Sequence, residues 1–283
     1  MTPNLAFAVL LALVAAVLHA LWNAMVKYSA DRLLMMGFIS IGHILPGAAM
    51  VLMFLPPAPE SWPFIAASTV IHWGYYVFLV SAYRDGDLSL VYPIARGISP
   101  LLVTVGAWLS VGETPGPQLL AGILIISFGI LLLGWLAARN RAGMAAIGYA
   151  FATGVTIAAY SVVDGLGVRA SGSPAGYIGW LFVCEGLFAI YVFARERAKL
   201  ADVDARTLAT GVAGGVVSQV AYGLVIYAAI FAPLGVVSAV RESGVLIAAL
   251  IGVLWFGEGP WRPRITCAAI VAGGVALIGL ARI

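Results

Sequence analysis

Charged side chains lie inside apolar stretches of this 283-residue chain. Arg96 and Arg241 each follow a proline within an apolar run, and Glu185 and Glu242 have similar surroundings. Ionisable groups in hydrocarbon are costly, so they usually face a cavity or an opposite charge. An arginine in such a place can bind an anionic group, and a carboxylate can bind a cation or a proton. Arg96 and Arg241 are therefore candidate ligand-binding residues, and Glu185 and Glu242 are candidate proton-binding residues.

Each of these four residues also has a structural interpretation. The arginines could clamp backbone carbonyl groups near the prolines that precede them, and each glutamate could pair with a basic residue of the chain. Arg241 and Glu242 are adjacent, so their side chains leave a helix about 100° apart and do not face the same way. Both interpretations stay open at the level of the sequence.

A stripe of hydrogen-bonding residues occupies one face of the first apolar run. His19, Trp22, Asn23 and Lys27 recur at spacings of three and four, which places them on one side of a helix. We expect a cavity wall, with Trp22 for stacking or cation–π contact and Asn23 for polar contacts. Hydrogen bonding between helices is the alternative, and Lys27 could also extend to the membrane interface.

Further polar candidates share helices with the charged residues. His72 and Tyr76 are spaced i, i+4, Gln219 and Tyr222 are spaced i, i+3, and Tyr92 precedes Arg96 by one turn. The set predicts a mixed cavity for a solute with an amine or a carboxylate, although single tyrosines also serve as interface anchors. The predicted substrate-binding residues are His19, Trp22, Asn23, His72, Tyr76, Tyr92, Arg96, Tyr160, Gln219, Tyr222 and Arg241. His43 is expected to be a packing histidine whose hydrogen bonds are satisfied.

The composition indicates a membrane protein. Of all residues 63% are hydrophobic and only 10% are charged, whereas soluble domains have about 25% charged residues. No basic tract interleaves with aromatic residues, so we expect no nucleic-acid partner. Cys184 and Cys267 lie far apart in apolar runs, which favours neither a disulfide nor a metal site, and no cofactor is expected.

Apolar stretches of about 20 residues predict membrane-spanning helices. Ten are found, near 5–27, 33–55, 62–83, 88–111, 118–137, 143–164, 175–194, 207–231, 234–256 and 265–282. The loops that join spans 1 and 2, 3 and 4, 5 and 6, 7 and 8, and 9 and 10 lie on one face and hold eleven Lys and Arg residues. This charge distribution favours a plasma (inner) membrane protein with both termini on the non-cytoplasmic side.

An internal repeat divides the chain into halves 1–141 and 142–283. A shift of 145 residues places Arg241 on Arg96, and Gly257 and Glu258 on Gly112 and Glu113. Each half holds five spans, an odd number, so the second half enters the membrane in the opposite sense. The predicted fold is an all-α integral membrane protein with ten transmembrane helices, as two inverted five-helix repeats around a central cavity.

The halves are not identical. Glu242 replaces Gly97 and Val237 replaces Tyr92 at equivalent positions. We also expect Lys27 to have no basic counterpart at the end of the sixth span. Chemically unequal walls would suit a substrate with two different ends. Glu113 and Glu258 end their spans, and we interpret them as structural charges.

Three stretches carry a family resemblance: 19–27 (HALWNAMVK), 82–97 (AYRDGDLSLVYPIARG), and 232–243 (APLGVVSAVRES) with the Gly-Glu of 257–258. They resemble the EamA-type branch of the drug/metabolite transporter superfamily over essentially the whole chain. The resemblance implies ten helices in two inverted repeats, a central cavity and carriage of small metabolites, often outward.

The expected function is secondary active transport of a small polar or zwitterionic metabolite, such as an amino acid or amine, by export or exchange. The chain has no Walker-type phosphate loop, so the driving force must be a gradient or exchange partner, with a coupling proton on Glu242 or Glu185. The expected partners are the small solute and membrane lipids, and the chain would be a monomer or homodimer. An intramembrane enzyme and a non-catalytic membrane scaffold are the alternatives; we predict no enzyme, because the three histidines fall in three different spans without a catalytic motif.

Overall fold

The computed structural model describes residues 3–27, 29, 31–85, 88–138, 144–247 and 261–281. Within those ranges the chain is helical and contains no strand. The helices are α1 (Pro3–Lys27), α2 (Arg32–Met53), α3 (Trp62–Asp85), α4 (Leu88–Val111), α5 (Pro117–Ala138), α6 (Met144–Ala170), α7 (Pro174–Gly186), α8 (Phe188–Arg195), α9 (Ala205–Ala228), α10 (Leu234–Glu242) and α11 (Trp261–Gly279). Residues 248–260, which include Glu258 and the end of the ninth predicted span, lie outside the described residues.

Aspartates begin two of these helices. The Asp31 carboxylate accepts a hydrogen bond from the Leu34 backbone N–H at 3.1 Å, and Asp204 caps α9 in the same way. The Lys199 ammonium, which donates to Asp31 at 2.6 Å, holds the pKa of that carboxyl below its usual value. The start of α2 is thereby tied to the segment between α8 and α9.

Eight helical segments among the described residues are long and apolar enough to cross a membrane. Helices α7 and α8 together make one of them, Pro174–Arg195, because the chain stays helical through a single irregular turn. Helix α3 has the predicted length but is not among the eight. The predicted membrane architecture is therefore confirmed at eight of the ten predicted spans.

Helix α6 is longer than predicted. The apolar pattern places its end near residue 164, but the helix continues to Ala170. Arg169 therefore lies in its last turn, as Lys27 ends α1. The 145-residue shift places Lys27 on Gly172, so Arg169 does not occupy the position equivalent to Lys27, and the expectation for Lys27 stays a prediction.

The helices pack in pairs. Helix α3 lies against α6, α1 lies against α9, α5 lies against α11, and α2 lies between α7 and α9. Helices α4 and α10 meet each other and bring Arg96 and Arg241 to the centre. Trp108 and Trp135 are exposed, as expected for lipid-facing residues, whereas the Trp73 indole N–H donates to the Glu185 carbonyl oxygen at 3.4 Å and faces the protein.

Glycines allow α2 and α9 to cross closely. A Cβ atom built on Gly42 would contact the Val212 carbonyl oxygen and would lie 2.8 Å from the Gly215 Cα. The atoms it would meet belong to the backbone, which cannot rotate away as a side chain can. Small residues at such crossings are a general feature of helix packing in membranes.

Candidate functional site

Three charged side chains meet at the centre of the molecule. The Glu242 carboxylate, only 1% exposed at the end of α10, accepts from Arg96 Nη1 at 2.9 Å and from Arg241 Nε at 3.0 Å. His19 of α1 contacts the same Arg96 guanidinium through Nε2. We call Arg96, Arg241 and Glu242 the arginine cluster. The two arginines that the repeat makes equivalent thus share one carboxylate, and that pairing was one of the interpretations left open for Glu242.

The arginine cluster has a net charge of one positive unit, since two guanidinium groups pair with a single carboxylate. Aromatic rings cover it on both sides. The Arg96 guanidinium lies 5.2 Å from the centre of the Tyr92 ring, and that of Arg241 lies 5.7 Å from the Tyr222 ring. Cation–π contacts of this kind hold the guanidinium groups in place without cancelling their charge.

A second polar cluster surrounds Glu185 of α7. Nδ1 of His72 lies 3.2 Å from Glu185 Oε1, the Tyr76 hydroxyl donates to Oε2 at 3.5 Å, and His43 Nδ1 lies 3.9 Å from Oε2. We call these four residues the glutamate cluster. His43 packs on the Phe182 ring, but neither of its ring nitrogens has a hydrogen-bond partner among the described residues. The expectation of a satisfied packing histidine is therefore wrong.

A third buried carboxylate, Asp164 of α6, was missed by the sequence reasoning. It is 1% exposed and accepts hydrogen bonds from the hydroxyl groups of Tyr222 at 2.6 Å and Tyr177 at 2.9 Å. An aspartate inside an apolar run is the same signal that identifies Glu185. It was overlooked because the span was ended at residue 164, which made Asp164 a boundary residue.

Aromatic rings separate the arginine cluster from the glutamate cluster. The His72 and Tyr160 rings stack with centres 4.0 Å apart, and Tyr222 meets Tyr160 edge-on at 5.4 Å. These three side chains come from α3, α6 and α9, which lie in different parts of the sequence. The wall therefore joins both halves of the chain.

A cavity of about 50 Å³ lies between the clusters. Of the residues predicted to bind substrate or proton, those that line it are His19, Trp22, His72, Tyr76, Arg96, Tyr160, Glu185, Tyr222 and Arg241. Tyr92 and Glu242 lie behind this lining, in contact with the arginines. The Asn23 side chain lies outside the described residues.

Gln219 faces helix α2 rather than the cavity. With its amide oriented so that both groups are satisfied, it donates to the His43 carbonyl oxygen at 2.7 Å and accepts from the Gly47 N–H at 3.1 Å. These backbone groups flank Pro46, which lies inside α2 and has no N–H of its own to donate. Gln219 thus bridges the helical backbone where proline weakens it, and ties α9 to α2.

Replacement of Gln219 by leucine should destabilise the protein by about 1–3 kcal/mol, because a buried carbonyl and a buried N–H lose their partner. Thermal unfolding of the purified protein in detergent measures this loss. Gln118→Leu is the control. The exposed Gln118 donates one hydrogen bond to the Leu277 carbonyl oxygen, so its replacement should lower the unfolding midpoint less than Gln219→Leu does. Equal shifts for the two variants would contradict the bridging role.

Glu113 and Arg169 join helix ends on one side of the molecule. Glu113 accepts from Arg169 Nη1 at 2.8 Å and from the Leu234 backbone N–H, which begins α10. Arg169 also donates to the carbonyl oxygens of Ala229 and Ala232. Glu113 therefore has a structural position, as the sequence interpretation held, although it caps the start of α10 rather than the end of its own helix.

No group of three metal-binding side chains is found within the residues that the structure describes. The site consists of fixed charges, aromatic faces and a small polar cavity. Such an arrangement can bind and orient a small polar solute.

Comparisons with known proteins give a family for the N-terminal half and a fold for the whole chain. Residues 6–135 match the model of the EamA-like transporter family. No curated protein sequence matches the chain. One solved structure, titled only "Crystal structure of protein", superimposes with a TM-score of 0.76 over 96% of this chain and 98% of its own length, at 22% identity. At that identity the likeness shows the fold alone. The chain is thus a multi-pass membrane protein whose residues 6–135 match the EamA-like transporter family, the family that its motifs resemble.

Proposed function

We propose that the protein is a secondary transporter that exports or exchanges a small zwitterionic metabolite through the central cavity. The observation that carries this proposal is the separation of charge across the cavity. The arginine cluster has one unneutralised positive charge at one end, and Glu185 lies at the other, with Asp164 behind Tyr222 of the cavity wall. A substrate with a carboxylate and an amine, such as an amino acid, matches both ends.

Helix packing supports two inverted repeats, in which the ninth predicted span begins with α10. Under the repeat, α1 corresponds to α6 and α3 corresponds to α9. The contact of α3 with α6 is then repeated by the contact of α9 with α1. Likewise, α4 packs on α6 as α10 packs on α1, and α5 packs on its own counterpart α11. A two-fold relation between the halves accounts for each of these pairs.

The size of the cavity supports alternating access. A volume of about 50 Å³ holds only a few water molecules. An amino acid is larger, so the helices around the site must move apart to admit it and close again around it. Alternating access to a site between inverted repeats provides such a movement.

The loops support an orientation with both termini outside the cytoplasm, in the plasma membrane. Lys199 lies on the side of the α1–α2 loop, where it pairs with Asp31, and Arg206 follows it at the start of α9. Arg169 lies at the opposite face, in the last turn of α6, and its charge is paired with Glu113 and with backbone carbonyl groups. The remaining positive charges therefore favour the α1–α2 side as cytoplasmic.

A ligand screen followed by transport tests this function. Thermal unfolding of the purified protein should shift upward with at least one of a panel of amino acids, choline-like amines and small carboxylates. The same compound should then exchange across proteoliposomes in a counterflow assay. A panel in which no compound stabilises or exchanges would reject the zwitterion proposal.

Arg241→Gln should weaken binding of a carboxylate-bearing compound from this screen by about tenfold to a hundredfold, because a charged hydrogen-bond donor is lost from the cavity wall. Arg206→Gln is the matched control, since Arg206 is exposed at the start of α9. Unchanged affinity in Arg241→Gln would show that the carboxylate binds elsewhere. A comparable loss in both variants would show a nonspecific effect of charge.

A further inference from the structure

The buried charges of the described residues do not balance. Five arginine, aspartate or glutamate side chains are buried: Arg96, Arg241, Asp164, Glu185 and Glu242. Two positive charges against three negative charges leave one negative charge in excess when the histidines are neutral. An uncompensated charge in a membrane interior is costly, so the site has a use for one proton or one cation.

The three carboxylates differ in how they are compensated. Glu242 has two guanidinium partners, at 2.9 and 2.5 Å. Asp164 accepts from two tyrosine hydroxyl groups. Glu185 is in contact with His72, His43 and Tyr76, and no lysine or arginine pairs with it within the described ranges. Glu185 is therefore where the excess negative charge is least compensated.

The nitrogen of His72 next to Glu185 has three acceptors within reach. Nδ1 lies 3.2 Å from Glu185 Oε1, 2.9 Å from the Ser68 carbonyl oxygen and 3.1 Å from the Ser68 hydroxyl. A single N–H can donate well to only one of these at a time. The hydrogen bonds of this nitrogen go to Ser68, and Glu185 Oε1, although only 3.2 Å away, is a buried oxygen without a hydrogen-bond partner among the described residues.

Ser68 continues the path to the third carboxylate. Its side chain lies close enough to the Asp164 carboxylate to interact with it electrostatically. The contacts therefore run from Glu185 on α7 through His72 and Ser68 on α3 to Asp164 on α6. This path has a carboxylate at each end, and Asp164 is connected through Tyr222 to the cavity wall and Arg241.

We propose that Glu185, together with His72, binds the coupling proton of the transporter, and that His72 and Ser68 connect this site to Asp164. Glu242 serves instead as the counter-ion of the two arginines. The proton comes from water and attaches to a Glu185 carboxylate oxygen, which cancels the excess negative charge, and no covalent bond of the solute changes. The coupling role rests on the proposed transport function, whereas binding of the proton does not.

All charged and titratable groups around Glu185 enter this proposal. Among the described residues they are His43 from α2, His72 and Tyr76 from α3, Tyr160 and Asp164 from α6, Tyr177 and Cys184 from α7 itself, Tyr222 from α9 and Arg241 from α10. The Glu185 site differs from the arginine cluster in having histidines as its nearest basic groups. A histidine can both give and accept a proton, whereas an arginine does not lose its own in proteins.

Infrared difference spectroscopy of the full-length protein in lipid bilayers tests the proton site without any solute. Changing the pH of the wild-type protein should produce a carboxyl C=O band of a buried acid, and Glu185→Gln should remove it. The band should persist in Glu242→Gln and in Glu60→Gln, where Glu60 is an exposed control. A band that persists in Glu185→Gln, or one that disappears in Glu242→Gln instead, would overturn the proposal.

Glu185→Asp provides a second variant that keeps the carboxyl group. Its titrating band should remain but move in frequency, and His72→Asn should shift the midpoint of the wild-type band. An unmoved band in Glu185→Asp would assign the proton to another residue, and loss of the band in Asp164→Asn alone would assign it there. Failure of every solute in the counterflow assay would reject the transport function, while the band would still report on Glu185.

Discussion

Replacement of Glu242 by glutamine should lower the free energy of unfolding by about 3–5 kcal/mol, a large fraction of the stability of an ordinary domain. The carboxylate is buried and is the shared partner of Arg96 and Arg241. Its neutralisation leaves two buried guanidinium groups next to one another without their counter-ion. Thermal and denaturant unfolding in detergent, followed by circular dichroism, should show a large loss of stability.

The cause can be separated from a general effect of the substitution. Glu60→Gln makes the same chemical change at an exposed position and should alter stability by less than about 0.5 kcal/mol. Combining Arg96→Gln with Glu242→Gln should cost less than the sum of the two single changes, because each single change already removes the same Arg96–Glu242 pair. Additive losses would mean that the two residues do not interact as the structure shows.

Replacement of Gly42 by alanine should destabilise the protein by about 1–3 kcal/mol. The added Cβ would meet the backbone of α9 at Val212 and Gly215, so the two helices would have to move apart. Because α2 also packs on α7, that separation would disturb the surroundings of Glu185. Thermal unfolding in detergent measures the loss of stability.

Gly74→Ala is the matched control. Gly74 also lies inside a helix, α3, but a Cβ built there has no neighbour within 4 Å. Alanine is a better helix former than glycine, so this variant should be as stable as the wild type or more stable by up to about 1 kcal/mol. The opposite signs expected for the same substitution make the comparison decisive. A loss of stability in Gly74→Ala equal to that in Gly42→Ala would exclude the helix crossing as its cause.

Much of the architecture could be predicted from the sequence, because a bilayer constrains what a chain can do. A backbone in hydrocarbon must be helical, so apolar length alone located most of the spans. The register of Arg96 on Arg241 also predicted that equivalent positions would matter, and the structure brings both arginines to one carboxylate. The polar stripe on α1 likewise places His19 and Trp22 at the cavity.

Other features depend on contacts that no pattern in one sequence shows. Gln219 has the spacing of a cavity residue. It faces α2 instead, where it bonds the His43 carbonyl oxygen and the Gly47 N–H on either side of Pro46. The choice between the two candidate proton sites depends on which carboxylate the arginines reach. Position 242 lies next to Arg241 in sequence, but Arg96 reaches it only through the packing of α4 on α10.

Under the proposed alternating access, the carboxylate at position 242 has a consequence for the energy difference between the transport states. Its counterpart in the first half is Gly97, where even a Cβ would lie 2.7 Å from Leu131 Cγ, so a matching acid does not fit. Two chemically identical inverted halves would make the inward-open and outward-open states mirror images of equal energy. Because Glu242 has no acidic counterpart at position 97, the two states differ in energy. The empty carrier should then rest preferentially with its site open to one side of the membrane.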